Sequence, residues 1–360
     1  MHRSLLCSVM AVVAIQSHVS AEDVTWLSEV TQSPANPVME KSGRIVPLLR
    51  TADGQEIRTV EQWQQQRSVI ESAWRSFLGA MPKPQELNLT ILKSEQSGTV
   101  TRQLIEYDAE PGQRVQGYLL RPTGVSGRLP AIVGMHQTTD SSIDEIAGVS
   151  GRDAMQLGLK LAQRGFVVMC PRCFLWQDVS SLNEAVATHR QRNPQALGMA
   201  KMLYDAQRAV DVLESLDDVD HNRIGSIGHS LGAKEVLYLA AFDQRIRASV
   251  SCEGGIGFRS TNWDAPWYLG SAIQNPEFAL NHHQLLALIA PRPFLVIGGE
   301  SGPGAADGDR SWVLLNAATP VWKLYSPQSR LGLLNHHQGH AIPEDTFEKM
   351  SEWLSVYLSQ

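Results

Sequence analysis

The sequence predicts an α/β fold: a mostly parallel central sheet with helices on both faces. Three observations carry this reading. From Pro130 onward, short apolar runs of strand length alternate with segments of helical period. Those runs, Pro130-Ala131-Ile132-Val133-Gly134-Met135 among them, are continuously apolar, as strands buried on both faces must be. Finally, Gly228-His229-Ser230-Leu231-Gly232 joins one such run to the helix that follows it.

The elements follow in order. Residues 60–78 place Trp63, Val69, Ile70, Trp74 and Leu78 at helical spacing, and Pro82 and Pro84 close the segment. Residues 87–92, 99–107 and 115–120 read as strands separated by Gly- and Asp-containing turns. Then come a strand at 130–135, a helix at 155–162 stopped by Gly165, and a strand at 166–170. A long helix covers about 194–216, with Met199, Leu203, Ala206, Val210 and Leu213 following the 3.6 period. Residues 223–227 form a strand and 233–242 a helix. Residues 246–251, 293–297 and 321–325 read as further strands, and a C-terminal helix aligns Phe347, Met350, Leu354 and Tyr357. Residues 254–290 interrupt the alternation without a clear strand, at a strand's carboxyl end, where ligand sites form in such folds.

Composition narrows the function. The 360 residues are 43% hydrophobic, which excludes a disordered chain. With 31 basic against 37 acidic residues the net charge is −6, and no basic block exists to bind nucleic acid. No apolar stretch is long enough to span a membrane. His2 and Arg3 precede an apolar run over residues 5–15, then Val19-Ser20-Ala21 offers small residues ahead of Glu22. This is the pattern of a secretory signal peptide over residues 1–21, so the protein is expected to be secreted or periplasmic. Residues 22–98 read as an N-terminal extension and 99–360 as the catalytic domain. Cys170, Cys173 and Cys252 make an odd count without a second CxxC, so they read as buried structural cysteines rather than a disulfide framework or zinc site.

The chemistry centres on Ser230. In the G-x-S-x-G context a serine sits on a sharp strand-to-helix turn that needs small neighbours and projects the hydroxyl toward substrate. A serine nucleophile needs a base, and the base an orienting acid, in the chain order Ser, acid, His. His340, in the loop before the C-terminal helix, is the expected base. His336 and His337 lie beside it, but no carboxylate or Cys is spaced to complete a metal site with them. Asp307, after the 293–297 strand and flanked by small residues, is the first choice for the acid, and Glu253, directly after the 246–251 strand, the alternative. Backbone N–H groups of Leu231 and of Gln137 or Thr138 are expected to form the oxyanion hole. Lys234, Trp263, Trp267 and Trp312 are candidate substrate contacts, the tryptophans as platforms for a sugar ring.

These motifs resemble the α/β-hydrolase superfamily over about residues 100–358. Within it, Val115-Gln116-Gly117-Tyr118-Leu119-Leu120-Arg121-Pro122 is similar to the dienelactone hydrolase-like and acetyl xylan esterase-like group. Ser230 with Lys234 and Glu253, together with Leu285-Leu286-Ala287-Leu288-Ile289-Ala290-Pro291-Arg292-Pro293, resembles the glucuronoyl esterase family. That family's members place a substrate-contacting lysine at the Lys234 position and, in some, the triad glutamate at the Glu253 position. Its bacterial members have an Asp in the loop matching Asp307. One departure stands out: the family carries Arg directly after the nucleophile, and this chain has Leu231. The resemblance thus implies a cofactor-free serine hydrolase of carboxylic esters, carbohydrate-linked and of acetyl or uronic type, without implying glucuronoyl specificity. The partner is then a small-molecule or polysaccharide ester. A dienelactone hydrolase-like enzyme, a peptidase of the same fold and a non-catalytic carbohydrate-binding member are the alternatives.

Overall fold

The computed structural model describes residues 23–35, 44–302 and 304–359. The expected signal peptide lies outside the described residues, apart from its following Asp23. Nine strands form one sheet: β1 (Thr90–Ser97), β2 (Val100–Glu110), β3 (Gln113–Pro122), β4 (Leu129–Met135), β5 (Val167–Pro171), β6 (Val219–His229), β7 (Ile246–Cys252), β8 (Phe294–Gly298) and β9 (Leu331–Asn335). Their order is β1-β2-β3-β5-β4-β6-β7-β8-β9. Pairs from β1 through β3 to β5 are antiparallel, and every pair from β5 to β9 is parallel. The order reverses at β4, whose neighbours are β5 and β6. A crevice opens at the carboxyl ends of strands at such a switch point.

The helices are α1 (Leu27–Val30), α2 (Val60–Leu78), α3 (Ile143–Ile146), α4 (Leu157–Ala162), α5 (Leu182–Arg192), α6 (Gly198–Glu214), α7 (Leu231–Phe242), α8 (His282–Ile289), α9 (Trp312–Tyr325) and α10 (Glu344–Leu358). The central parallel strands bury both faces, so alternate residues enter different cores. In β5, Val167 and Met169 join the core built with α2, α6, α7, α8 and α9. Val168 and Cys170 join the one built with α1, α4 and α10. The 22–98 segment lays α2 on the first core and adds β1 to the sheet's edge. A capping box between Thr59 and Gln62 starts α2, and its buried Trp74 donates to Gln284 Oε1 at 3.1 Å. Val69, expected on its buried face, is 63% exposed.

Three elements differ from expectation. Residues 321–325, read as a strand, are the last turns of α9. Their β-branched and aromatic content mimics a strand, but Leu314, Leu315, Ala318, Val321 and Trp322 are buried at helical spacing, so the core-facing stripe decides. The final strand is instead Leu331–Asn335. Helix α5 was not foreseen; Ser181 caps it by accepting from the Glu184 N–H. The first edge strand starts at Thr90 rather than residue 87. Cys170, Cys173 and Cys252 are free and buried, as expected.

Candidate active site

Ser230 follows β6 directly and caps the N-terminus of α7 with φ 58° and ψ −113°. A non-glycine residue at positive φ stores strain, which its surroundings must hold in place. Sterics explain the glycines on either side. A Cβ on Gly228 would lie 2.4 Å from the Gly232 carbonyl, and one on Gly232 would lie 2.1 Å from Met135 O. The Ser230 N–H donates to Cys252 O at 2.8 Å, so β7 braces the turn.

His340 sits in the loop between β9 and α10, its ring 4.6 Å from that of His229 between centroids. His340 Nδ1 lies 3.7 Å from Glu253 Oε2. Glu253 stands at the end of β7 at φ 56°. Its carboxylate is buried, yet Oε1 accepts from Gly299 N–H at 2.6 Å and Oε2 from Ala306 N–H at 2.9 Å. His336 Nε2 is 3.1 Å from Oε1. Burial opposes ionisation, but these donors and the two histidines outweigh it and hold the pKa down to about 2. Glu253 is therefore held as an anion beside two imidazoles.

Asp307, the first choice for that role, is placed differently. It is fully buried, accepting from Gly255 N–H at 2.7 Å, Ile256 N–H at 2.9 Å and Ser311 Oγ at 2.6 Å. Burial pushes its pKa up against those bonds. Among the described residues no hydrogen bond or ion pair joins it to His340; the carboxylate beside His340 is Glu253. The small neighbours of Asp307 let its side chain tuck beneath the loop after β7 instead of reaching into the site.

The oxyanion side is built from two chain segments. Leu231 opens α7, where the first N–H groups have no intrahelical partner. Thr138, in the loop after β4, lines the same cavity, whereas Gln137 is buried with its side chain hydrogen-bonded to Glu145. His136 pins this loop: Nδ1 is 2.8 Å from Gln137 O, and Nε2 accepts from Cys173 N–H at 3.2 Å. Burial lowers the His136 pKa to about 4, so the ring is neutral and can accept there. No motif marks Glu145, because its approach to Gln137 is set by how the loop folds back.

Ser230, Leu231, Thr138, Glu253 and His340 border a cavity of ≈ 270 Å³. Its other wall includes Lys234, Thr261, Trp267, Tyr268 and Trp176. Lys234 Nζ donates to Gly254 O and to Thr261 Oγ1 at 2.6 Å and lies 4.4 Å from the Trp263 ring centroid. Burial lowers its pKa to about 7, against the attraction of Asp307. Of the three tryptophans expected as platforms, only Trp267 lines the cavity. Trp263 is buried beneath Lys234 and donates to Gly255 O at 2.6 Å, and Trp312 starts α9 away from the lining. Trp176, which no sequence pattern marked, takes a place in the wall, edge-on to His136. Among the described residues, no group of three or more His, Cys, Asp or Glu side chains is arranged to hold a metal ion, and no helix is long and apolar enough to cross a membrane.

Comparison with known proteins bears on the fold and on the family resemblance. Residues 115–283 match the model of the Dienelactone hydrolase family. YtaP of Bacillus subtilis (strain 168) is 23% identical over 234 residues, 62% of this chain and 77% of that protein. The 4-O-methyl-glucuronoyl methylesterase of Hypocrea jecorina (strain QM6a) is 25% identical over 192 residues, 44% of this chain and 40% of that protein. Among solved structures, a glucuronoyl esterase from Solibacter usitatus superposes with a TM-score of 0.72 at 20% identity, covering 88% of this chain and 98% of that one. The chain has the α/β-hydrolase fold, and its resemblance to the dienelactone hydrolase-like and glucuronoyl esterase groups stands.

Proposed function

We propose that the protein is an exported serine hydrolase of carboxylic esters, most suited to esters borne on carbohydrates. The observation that carries this reading is the strained Ser230 sharing one cavity with His340, whose Nδ1 side faces the ionised Glu253. Ser230 Oγ attacks the ester carbonyl while His340 Nε2 takes its proton. Glu253 holds the Nδ1–H tautomer and stabilises the imidazolium. The N–H groups of Leu231 and Thr138 receive the oxyanion. His340 then protonates the leaving alcohol, and water, activated by the same imidazole, hydrolyses the acyl-enzyme. No cofactor enters these steps.

The carbohydrate assignment draws on the esterases the chain resembles and on the residues that line the cavity with Ser230. There, Trp267 and Trp176 offer apolar faces and Lys234 offers a donor to a hydroxyl or carbonyl. Acetyl and uronic acid esters are the substrate classes this supports. Secretion rests on the pattern over residues 1–21, and an exported protein would begin at Glu22 by N-terminal mass.

The direct test is Ser230→Ala. Hydrolysis of short nitrophenyl esters should fall by roughly 10⁵- to 10⁶-fold, by analogy with loss of a triad nucleophile. Labelling by a fluorophosphonate probe should disappear with it. A variant that hydrolyses and labels like the parent would remove Ser230 from the mechanism. A parent protein that never labels would instead favour a binding role for the fold. A panel of acetyl, methyl uronate and aryl uronate esters then ranks the substrates.

A further inference from the structure

The carboxylate of Glu253 meets two imidazoles, one at each oxygen, and the mechanism above uses only one. His336 Nε2 stands 3.1 Å from Oε1, while His340 Nδ1 stands 3.7 Å from Oε2. The His336 side chain is only 4% exposed, so it has no access to substrate. Its place in the chain is fixed by backbone bonds. His336 N–H donates to Gly298 O at 3.1 Å, continuing the register of β9 beside β8. Gln338 N–H donates to His336 Nδ1 at 3.2 Å. An Nδ1 that accepts carries no proton, so in this tautomer the proton sits on Nε2, the nitrogen 3.1 Å from Glu253 Oε1, a close contact too bent to be a hydrogen bond in this structure. The close approach also requires Gly299, where a Cβ would lie 1.6 Å from Gln338 O and 2.9 Å from His336 Cε1.

We infer that His336 is a positioning residue for the triad: its electropositive Nε2–H, in close contact with Oε1 of Glu253, draws that oxygen to itself, so that Oε2 is the oxygen presented to His340. The inference rests on Glu253 being the triad acid. A glutamate has three side-chain torsions to fix, and each oxygen here has one backbone donor, Gly299 N–H on Oε1 and Ala306 N–H on Oε2. Those two donors alone treat the two oxygens alike. The Nε2–H of His336 beside Oε1 breaks that symmetry electrostatically and leaves Oε2 to the imidazole that must hold its Nδ1–H. His336 neither touches substrate nor exchanges a proton in the reaction. It acts through Glu253.

A purely structural role is the competing account, in which His336 serves only to receive the Gln338 N–H and close the turn. Two substitutions separate the accounts. In His336→Gln the amide nitrogen stands near the former Nε2 and can still donate to Glu253. In His336→Asn the amide oxygen stands near the former Nδ1 and can still accept from Gln338, but nothing reaches Glu253. With a nitrophenyl ester, His336→Asn should lower kcat by roughly 10- to 100-fold with KM and melting temperature little changed, the size of effect a misplaced catalytic group produces. His336→Gln should recover most of kcat. The same pair in a Glu253→Gln background should show no further loss from His336→Asn, because the group it acts through is gone. The reverse order of rescue overturns the inference, and so does an additive loss in the Glu253→Gln background. A Glu253→Gln protein with parental kcat overturns the triad reading itself, a separate outcome.

Discussion

Glu253 and Asp307 are two buried carboxylates at the ends of neighbouring strands, and they work in opposite directions across the same pair of loops. Glu253, at the end of β7, grips the N–H groups of Gly299 and Ala306 in the loop after β8. Asp307, in that loop, reaches back to the N–H groups of Gly255 and Ile256 after β7. The two loops are thus clasped by reciprocal bonds. The approach is so close that a Cβ on Gly298 would lie 2.5 Å from Asp307 Cβ and 3.2 Å from Glu253 Oε2. Yet burial wins at Asp307 and raises its pKa, whereas at Glu253 the donors win. The difference lies in the third partner: Ser311 Oγ for Asp307, two imidazoles for Glu253. In the proposed mechanism it is the side chain facing each carboxylate that gives Glu253 the catalytic place and Asp307 a structural one.

The comparison breaks most directly through the isosteric amides. Glu253→Gln keeps the shape but presents the wrong group to His340 Nδ1, and kcat on nitrophenyl esters should fall by about 10³- to 10⁴-fold, as when a triad acid becomes an amide. Asp307→Asn should leave most of the chemistry in place. It should instead lower the free energy of unfolding, because one amide oxygen cannot accept what two carboxylate oxygens do; a buried polar group left unsatisfied costs about 1–3 kcal/mol. Urea unfolding read beside kcat distinguishes them. Equal rate losses in the two variants at equal stability would dissolve the distinction between the carboxylates.

How far the sequence reached this site can be seen in the same pair. The strand–turn–helix around Ser230 was legible because its constraint is local: two glycines must admit backbone atoms within a few residues. His340 was legible because its place before the C-terminal helix follows from chain order. The acid could be narrowed only to Asp307 or Glu253, because both follow strand ends with small neighbours, and the choice depends on which way each side chain turns. Glu253 turns at φ 56°, a conformation no local motif announces for a glutamate. The same limit hid Trp176, which lines the cavity from another loop, and Glu145, which holds the Gln137 side chain. It also made Trp263 look like a platform, although the ring supports Lys234 from below. Continuous apolar strands gave the sheet, but residues 321–325 show that β-branched content in a short run does not separate a strand from a buried helix turn.

Lys234 sharpens the comparison from the other sign of charge. It is buried in the cavity wall like Glu253, with two acceptors and an aromatic face around its ammonium, but here burial wins and the pKa falls to about 7. An unfolded lysine titrates near 10.5. Between about pH 7 and 10.5 the unfolded chain therefore holds a proton that the folded chain has released, and stability rises with pH across that window. The slope from one proton is at most about 1.4 kcal/mol per pH unit. Lys234→Met removes this contribution, so the difference in unfolding free energy between variant and parent should favour the variant most at pH 6 and shrink toward pH 10. A difference curve flat over that range would mean that the acceptors at Gly254 and Thr261 hold the ammonium as firmly as the donors hold Glu253. Kinetics give the same group a second readout. Two of the three ammonium protons are directed to Gly254 O and Thr261 Oγ1, leaving one for a substrate oxygen. KM for a carbohydrate ester should therefore rise above pH 7 in the parent and stay flat, at a higher value, in Lys234→Met.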